Sequence, residues 1–223
     1  MIRMPYKAVI FDLDGTLLDT LEDIADAVNR VLEGRGAPTH DLEAYRFFVG
    51  DGSKMLVKRA LPENERSDDS VRRSLNAFKK DYESTWDVKT RTYEGIPKLL
   101  DSLTEKGVKM AVCSNKPHEF SVLCVEKMLG RWCFEQVVGQ GGRYRRKPAP
   151  DSALAIAGNM RVDPAEILFV GDSGVDMQTA VSAGMVPVGA AWGFRPEEEL
   201  LANGCKFLVR QPLYVLQVLR REM

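Results

Sequence analysis

The sequence predicts an α/β fold, a doubly wound and mainly parallel sheet whose first connection carries a small α-helical insertion. Three observations predict it. Short apolar runs alternate with helix-like stretches from about Val108 onward. The first such run, Ala8–Phe11, is separated from that series by far more chain than an ordinary βα connection needs. Acidic residues recur where the runs end: Asp12 and Asp14 after the first, Asp172 and Asp176 after Ile167–Val170.

Taken in order, Ala8–Phe11 reads as a buried strand ended by the turn signal Asp14-Gly15-Thr16. Residues 20–90 carry helical patterns at Leu21–Leu32, Ser53–Leu61 and Asp68–Trp86, with Thr20 and Asp23 resembling a capping box. Two glycines and an expected N-cap at Ser53 precede the second of these. A helix over 95–106, ended by Gly107, completes the crossover. Strands then follow at Val108–Cys113, Phe134–Val138, Ile167–Val170, Val186–Ala190 and Phe207–Val209. Helices near 117–129, 151–160, 175–183, 196–203 and 212–221 intervene, several with Pro near the start and Gly near the end. Such alternation implies right-handed βαβ units, hence a Rossmann-like core. The expected division is a core of residues 1–18 and 91–223 and a helical cap of residues 19–90.

Composition excludes several classes. The 223 residues are 44% hydrophobic and 28% charged, with 31 basic against 32 acidic side chains. That balance gives no electrostatic reason for nucleic acid or an anionic membrane as partner. No apolar stretch approaches the roughly 20 residues of a membrane helix, and the first strand begins too early for a signal peptide. A cytoplasmic protein, monomer or homodimer, is expected. The cysteines Cys113, Cys124, Cys133 and Cys205 lack metal-type spacing, so Cys113 and Cys124 read as buried free thiols. Gly139–Tyr144 narrowly misses GxGxxG and opens no helix, GxxxxGK[ST] is missing, and His118 reads as a surface residue.

The acids carry the chemistry. Residues two apart on an extended segment face one side, so Asp12 and Asp14 share one small volume. Asp172 and Asp176 join them if their strand neighbours the first, at the switch point where doubly wound sheets bind ligands. Four converging carboxylates call for a hard divalent cation, and Mg²⁺ suits few carboxylates plus a substrate phosphate. Ser114-Asn115-Lys116-Pro117, after Val108–Cys113, offers a hydroxyl, an amide and helix N-terminal N–H groups suited to a phosphate. Lys147 would balance negative charge.

The order Asp12-Leu13-Asp14-Gly15-Thr16, Ser114, Lys147-Pro148, then Gly171-Asp172 with Asp176 resembles the four motifs of the haloacid dehalogenase superfamily. The insertion resembles that of its helical-cap members. The resemblance implies Asp12 as nucleophile through an aspartyl-phosphate, Asp14 as general acid and base, and Ser114 and Lys147 on the phosphoryl group. It implies Mg²⁺ held by the Asp12 side chain, the Asp14 carbonyl and Asp172, with Asp176 orienting the metal shell or Lys147. Substrate contacts are expected from Gly15, Thr16, Ser114, Asn115 and Lys147, and from Arg46 and Gly50 in the cap. An acid at position 14 implies phosphate chemistry, because a halide needs no proton. Within the superfamily, Ala191–Arg195 and the cap pattern are most similar to phosphoglycolate phosphatases, which implies a small phosphorylated acid such as 2-phosphoglycolate. A β-phosphoglucomutase-like sugar phosphomutase, a pyrophosphatase, and a non-enzymatic binding protein are the alternatives.

Overall fold

The computed structural model describes residues 5–220. Its strands are β1 (Ala8–Phe11), β2 (Leu18–Asp19), β3 (Arg91–Thr92), β4 (Lys109–Pro117), β5 (Gln136–Gln140), β6 (Ile167–Gly171), β7 (Val186–Ala190) and β8 (Phe207–Val209). Its helices are α1 (Leu21–Glu33), α2 (Leu42–Phe48), α3 (Ser53–Ala60), α4 (Asp68–Thr85), α5 (Ile96–Glu105), α6 (His118–Leu129), α7 (Asp151–Met160), α8 (Gly174–Ser182), α9 (Glu197–Ala202) and α10 (Val215–Arg220). The helix expected over 212–221 is a 3₁₀ turn, Pro212–Tyr214, leading into α10; residue 221 lies outside the described residues.

Among the described residues, six strands form one parallel sheet in the order β5-β4-β1-β6-β7-β8. The chain leaves β1, builds outward through β4 and β5, then returns to β6 on the other side of β1. That reversal opens a crevice beyond the carboxyl ends of β4, β1 and β6. Phe11 is level with Val112 of β4 and Val170 of β6, so the residues just after each emerge together. β1 is apolar at every position because both its faces are covered. Ala8 and Ile10 meet Ile156, Ala157, Met160 and Ala180 on one face.

The chain divides into two compact units: one runs to Leu17 and resumes at Thr92, the other is Leu18–Arg91. The second contains α1 to α4. On α1, Leu21, Ile24, Ala25, Val28 and Leu32 are buried at helical spacing. No helical pattern marks α2 in the sequence; Asp41 is its N-cap, its carboxylate accepting from Ala44 N–H at 2.9 Å.

Two expected caps are corrected. Thr20 makes no side-chain cap, and its buried hydroxyl has no partner. Asp23 turns instead to the end of the unit, accepting from Lys89 N–H at 2.9 Å, Thr90 N–H at 2.7 Å and the Thr90 hydroxyl at 2.8 Å. Ser53 is the first helical residue of α3, after Gly52. Asp23→Ala leaves the buried Thr90 N–H without this acceptor and removes the tie to Lys89, while the Thr90 hydroxyl keeps the Trp86 carbonyl at 2.7 Å, so it should destabilise the protein by about 2 kcal/mol. Denaturant unfolding measures this; a loss below about 1 kcal/mol would show that water replaces the carboxylate freely.

Candidate active site

The carboxyl ends of β1, β4 and β6 assemble the acids. Asp12 follows β1, its N–H donating to Val170 O at 2.9 Å, and its carboxylate accepts from Leu13 N–H at 2.7 Å. Asp172 follows β6. Asp176 lies in the first turn of α8, where it and Ser173 make a reciprocal capping box: Asp176 Oδ2 accepts from Ser173 N–H at 3.1 Å and from the Ser173 hydroxyl at 2.6 Å. Asp12, Asp172 and Asp176 are all buried, with carboxylate oxygens within 4.8 Å of one another.

One ammonium serves this cluster. Lys147 Nζ lies 2.9 Å from Asp12 Oδ1 and 2.6 Å from Asp176 Oδ1, and its side chain is 2% exposed. Burial alone would lower the affinity of Lys147 for its proton, but the carboxylates of Asp12 and Asp176 outweigh it and hold the lysine charged. Burial pushes the Asp12 carboxyl up to about 7, against the pull of Lys147 and with a further push from Asp176. Burial, with Asp176 and Asp12 nearby, also raises Asp172 well above the ordinary carboxylate range. Fully ionised, the three acids would carry more negative charge than one lysine offsets, which is why burial and mutual repulsion hold protons on Asp12 and Asp172 and why a cation would suit the cluster. Asp12, Asp172 and Asp176 together could hold such a cation.

The loops around Asp172 explain residues the sequence reading assigned differently or passed over. Thr16 Oγ1 donates to Asp172 Oδ1 at 3.2 Å, and Phe194 N–H donates to Asp172 Oδ2 at 2.8 Å. Trp192 Nε1–H donates to Thr16 O at 3.0 Å. Gly15, at φ +84°, sits so close that a β-carbon would meet Asp172 Oδ2 at 2.2 Å; one on Gly193 would meet Asp172 Cβ at the same distance. The Ala191–Arg195 segment therefore clamps Asp172. No pattern in the sequence alone tied Phe194 to Asp172.

β4 runs through Pro117, four residues beyond the expected strand end at Cys113, so Ser114, Asn115 and Lys116 lie on extended strand, and the helix expected from about 117 begins at His118. Along this strand the side chains alternate. Ser114 Oγ accepts from Lys116 N–H at 3.2 Å. The Asn115 amide grips the Lys147 backbone, its Oδ1 accepting from Lys147 N–H at 2.9 Å and its Nδ2 donating to Lys147 O at 3.1 Å. Lys116 reaches Asp14: its Nζ is 3.1 and 3.3 Å from the two carboxylate oxygens. The sequence reading gave Lys116 no role, although its spacing from Ser114 matches that of Asp14 from Asp12. His118 is exposed, and Cys113 and Cys124 are buried free thiols. Arg46, on α2, pairs with Glu43 at 3.1 Å, and Gly50 lies in the turn before α3; both belong to the helical unit.

A parallel α/β sheet with a helical insertion after its first strand thus carries a carboxylate–lysine cluster at the carboxyl ends of its strands. The family profile of haloacid dehalogenase-like hydrolases matches residues 9–190, and the chain belongs to that family. It is 34% identical over 220 residues to a phosphoglycolate phosphatase of Pseudomonas syringae pv. tomato, covering 96% of this chain and 78% of that one. It is 32% identical over 209 residues to the phosphoglycolate phosphatase of Nitrosospira multiformis, covering 92% of each. A solved structure from Lactobacillus delbrueckii subsp. bulgaricus, provisionally named a phosphoglycolate phosphatase, superposes with a TM-score of 0.89 at 32% identity, over 96% of this chain and 98% of that one. The enzyme is a phosphatase of the phosphoglycolate phosphatase-like type. No helix among the described residues is long and apolar enough to cross a membrane.

Proposed function

We propose that the enzyme is a Mg²⁺-dependent phosphomonoester hydrolase that works through an aspartyl-phosphate on Asp12. The observation that carries this is the Asp12 carboxylate, buried against Lys147 at 2.9 Å with a second acid, Asp14, two residues on. Asp12 attacks phosphorus, forming the Asp12–phosphorus bond as the ester oxygen departs, and Asp14 gives that oxygen its proton. Asp14 then takes a proton from the water that attacks phosphorus, releasing inorganic phosphate and the free Asp12 carboxylate. Lys147 and Ser114 hold the phosphoryl oxygens, and Asn115 fixes Lys147. Asp12, Asp172 and the Asp14 carbonyl are the expected holders of Mg²⁺, which when bound neutralises charge on the phosphoryl group.

A small phosphorylated acid such as 2-phosphoglycolate is the proposed substrate, supported by relatives named for that activity. Gly15 and Thr16 serve it by shaping the Asp172 loop, and Arg46 and Gly50 keep their proposed role as substrate contacts. A cytoplasmic monomer or homodimer completes the reading. A panel of phosphate esters, sugar 1-phosphates and pyrophosphate with Mg²⁺, read for inorganic phosphate against an Asp12→Asn control, tests it. Phosphate release greatest from 2-phosphoglycolate is expected. Isomerisation of a sugar phosphate outpacing phosphate release would replace the hydrolase by a mutase, and preference for pyrophosphate would replace the substrate class.

A further inference from the structure

Lys116 is buried, charged and unused by the mechanism just given. Its ammonium meets both oxygens of Asp14 at 3.1 and 3.3 Å, with the lysine side chain 5% and the aspartate side chain 12% exposed. Its backbone is fixed: the Lys116 carbonyl accepts from the Ser121 hydroxyl at 3.3 Å, and a β-carbon on Gly139 would come within 2.7 Å of that oxygen. The extended strand thus sends alternate side chains to two different tasks. Asn115 secures Lys147, and Lys116 secures Asp14. A two-point contact at low exposure costs side-chain freedom and desolvation, so what it supplies is orientation of the carboxylate rather than stability.

We propose that Lys116 is a positioning residue for Asp14, holding its carboxylate where it exchanges a proton with the leaving oxygen and then with the attacking water. This rests on the phosphatase reading and adds to it a residue acting through Asp14. Its effect should follow the leaving group. An alkyl ester needs a proton from Asp14 as the ester bond breaks; p-nitrophenolate leaves without one. Both substrates need Asp14 again for attack of water on the aspartyl-phosphate.

The test compares the unsubstituted enzyme with Lys116→Met, Lys116→Arg and Asp14→Asn on 2-phosphoglycolate and p-nitrophenyl phosphate. Lys116→Met should lower kcat on the alkyl ester about 100-fold with KM changed little. On p-nitrophenyl phosphate it should keep a rapid burst of about one nitrophenolate per enzyme, followed by slow steady turnover. Asp14→Asn should show the same pattern more strongly, and Lys116→Arg should recover most of the rate. Equal loss on both substrates with no burst, or weaker inhibition by inorganic phosphate, would overturn the assignment and make Lys116 a structural or phosphate-binding residue. If Lys116→Met does not fold, Lys116→Gln carries the same comparison. Absence of turnover by the unsubstituted enzyme on both esters and on the rest of the phosphate-ester panel would overturn the phosphatase reading itself, whereas normal turnover with no burst in the variant overturns only the role of Lys116.

Discussion

Asp12→Asn is expected to lower phosphate release by about 10⁴-fold or more while making the metal-free protein harder to unfold. The loss of rate follows from removing the proposed nucleophile, which other groups do not replace. The gain in stability follows from electrostatics. Burial raises the Asp12 carboxyl from 3.8 to about 7, with Lys147 pulling it down and Asp176 pushing it up. Between those two values the folded chain retains a proton that the unfolded chain has released. Stability from this group is therefore present at low pH and is lost as pH rises through about 7. An asparagine carries no charge to repel Asp176 and Asp172, while Lys147 keeps its 2.6 Å contact with Asp176. Melting curves in a chelator should place the variant about 3 °C or more above the parent at pH 8. The gap should close towards pH 5, where the parent's Asp12 is protonated. Equal melting temperatures at both values would show that Asp12 is better solvated than its burial indicates. Added Mg²⁺ should stabilise the parent more than the variant, because a bound cation favours the ionised carboxylate.

The parallel core was legible because its signal is local. Ile167–Val170 and Val186–Ala190 are apolar runs bounded by turns, and the structure places strands over both. Short elements of mixed polarity were harder: α2 has seven residues and only Tyr45 among them is buried. Acids at strand ends could be found by spacing alone, but partners far apart in sequence could not. Lys116 and Asp14 are separated by 102 positions, and Thr16 and Asp172 by 156; only the register of β4, β1 and β6 brings them together. Asp23 shows the same limit in reverse. Its spacing from Thr20 matches a capping box, yet two backbone donors at Lys89 and Thr90 won the carboxylate. They offered hydrogen bonds in a buried place where unpaired N–H groups are costly. The same motif logic does operate at Ser173 and Asp176, where Lys147 takes Asp176 Oδ1 and leaves Oδ2 to the cap.

Lys147→Met should be the most damaging substitution in the core, removing activity and about 3–5 kcal/mol of stability. The methionine fills similar space, and Asn115 still grips the backbone at position 147, so the loop has reason to stay in place. What changes is charge. Asp12, Asp172 and Asp176 would then share a buried volume without the ammonium that lies 2.9 Å from one and 2.6 Å from another. Removing one partner of a buried ion pair leaves the other uncompensated, the costly case. A second substitution separates this from simple packing. Asp176→Asn alone keeps an oxygen for the Ser173 cap and leaves Lys147 paired with Asp12. Combined with Lys147→Met, it removes the acid most dependent on the lysine, so the double variant should be more stable than Lys147→Met alone. Denaturant unfolding of the four proteins gives the coupling directly. The electrostatic account requires a coupling of about 1 kcal/mol or more; strict additivity within about 0.5 kcal/mol would assign the damage to packing instead. Activity should stay lost in the double variant, because restoring the fold does not return the ammonium beside Asp12.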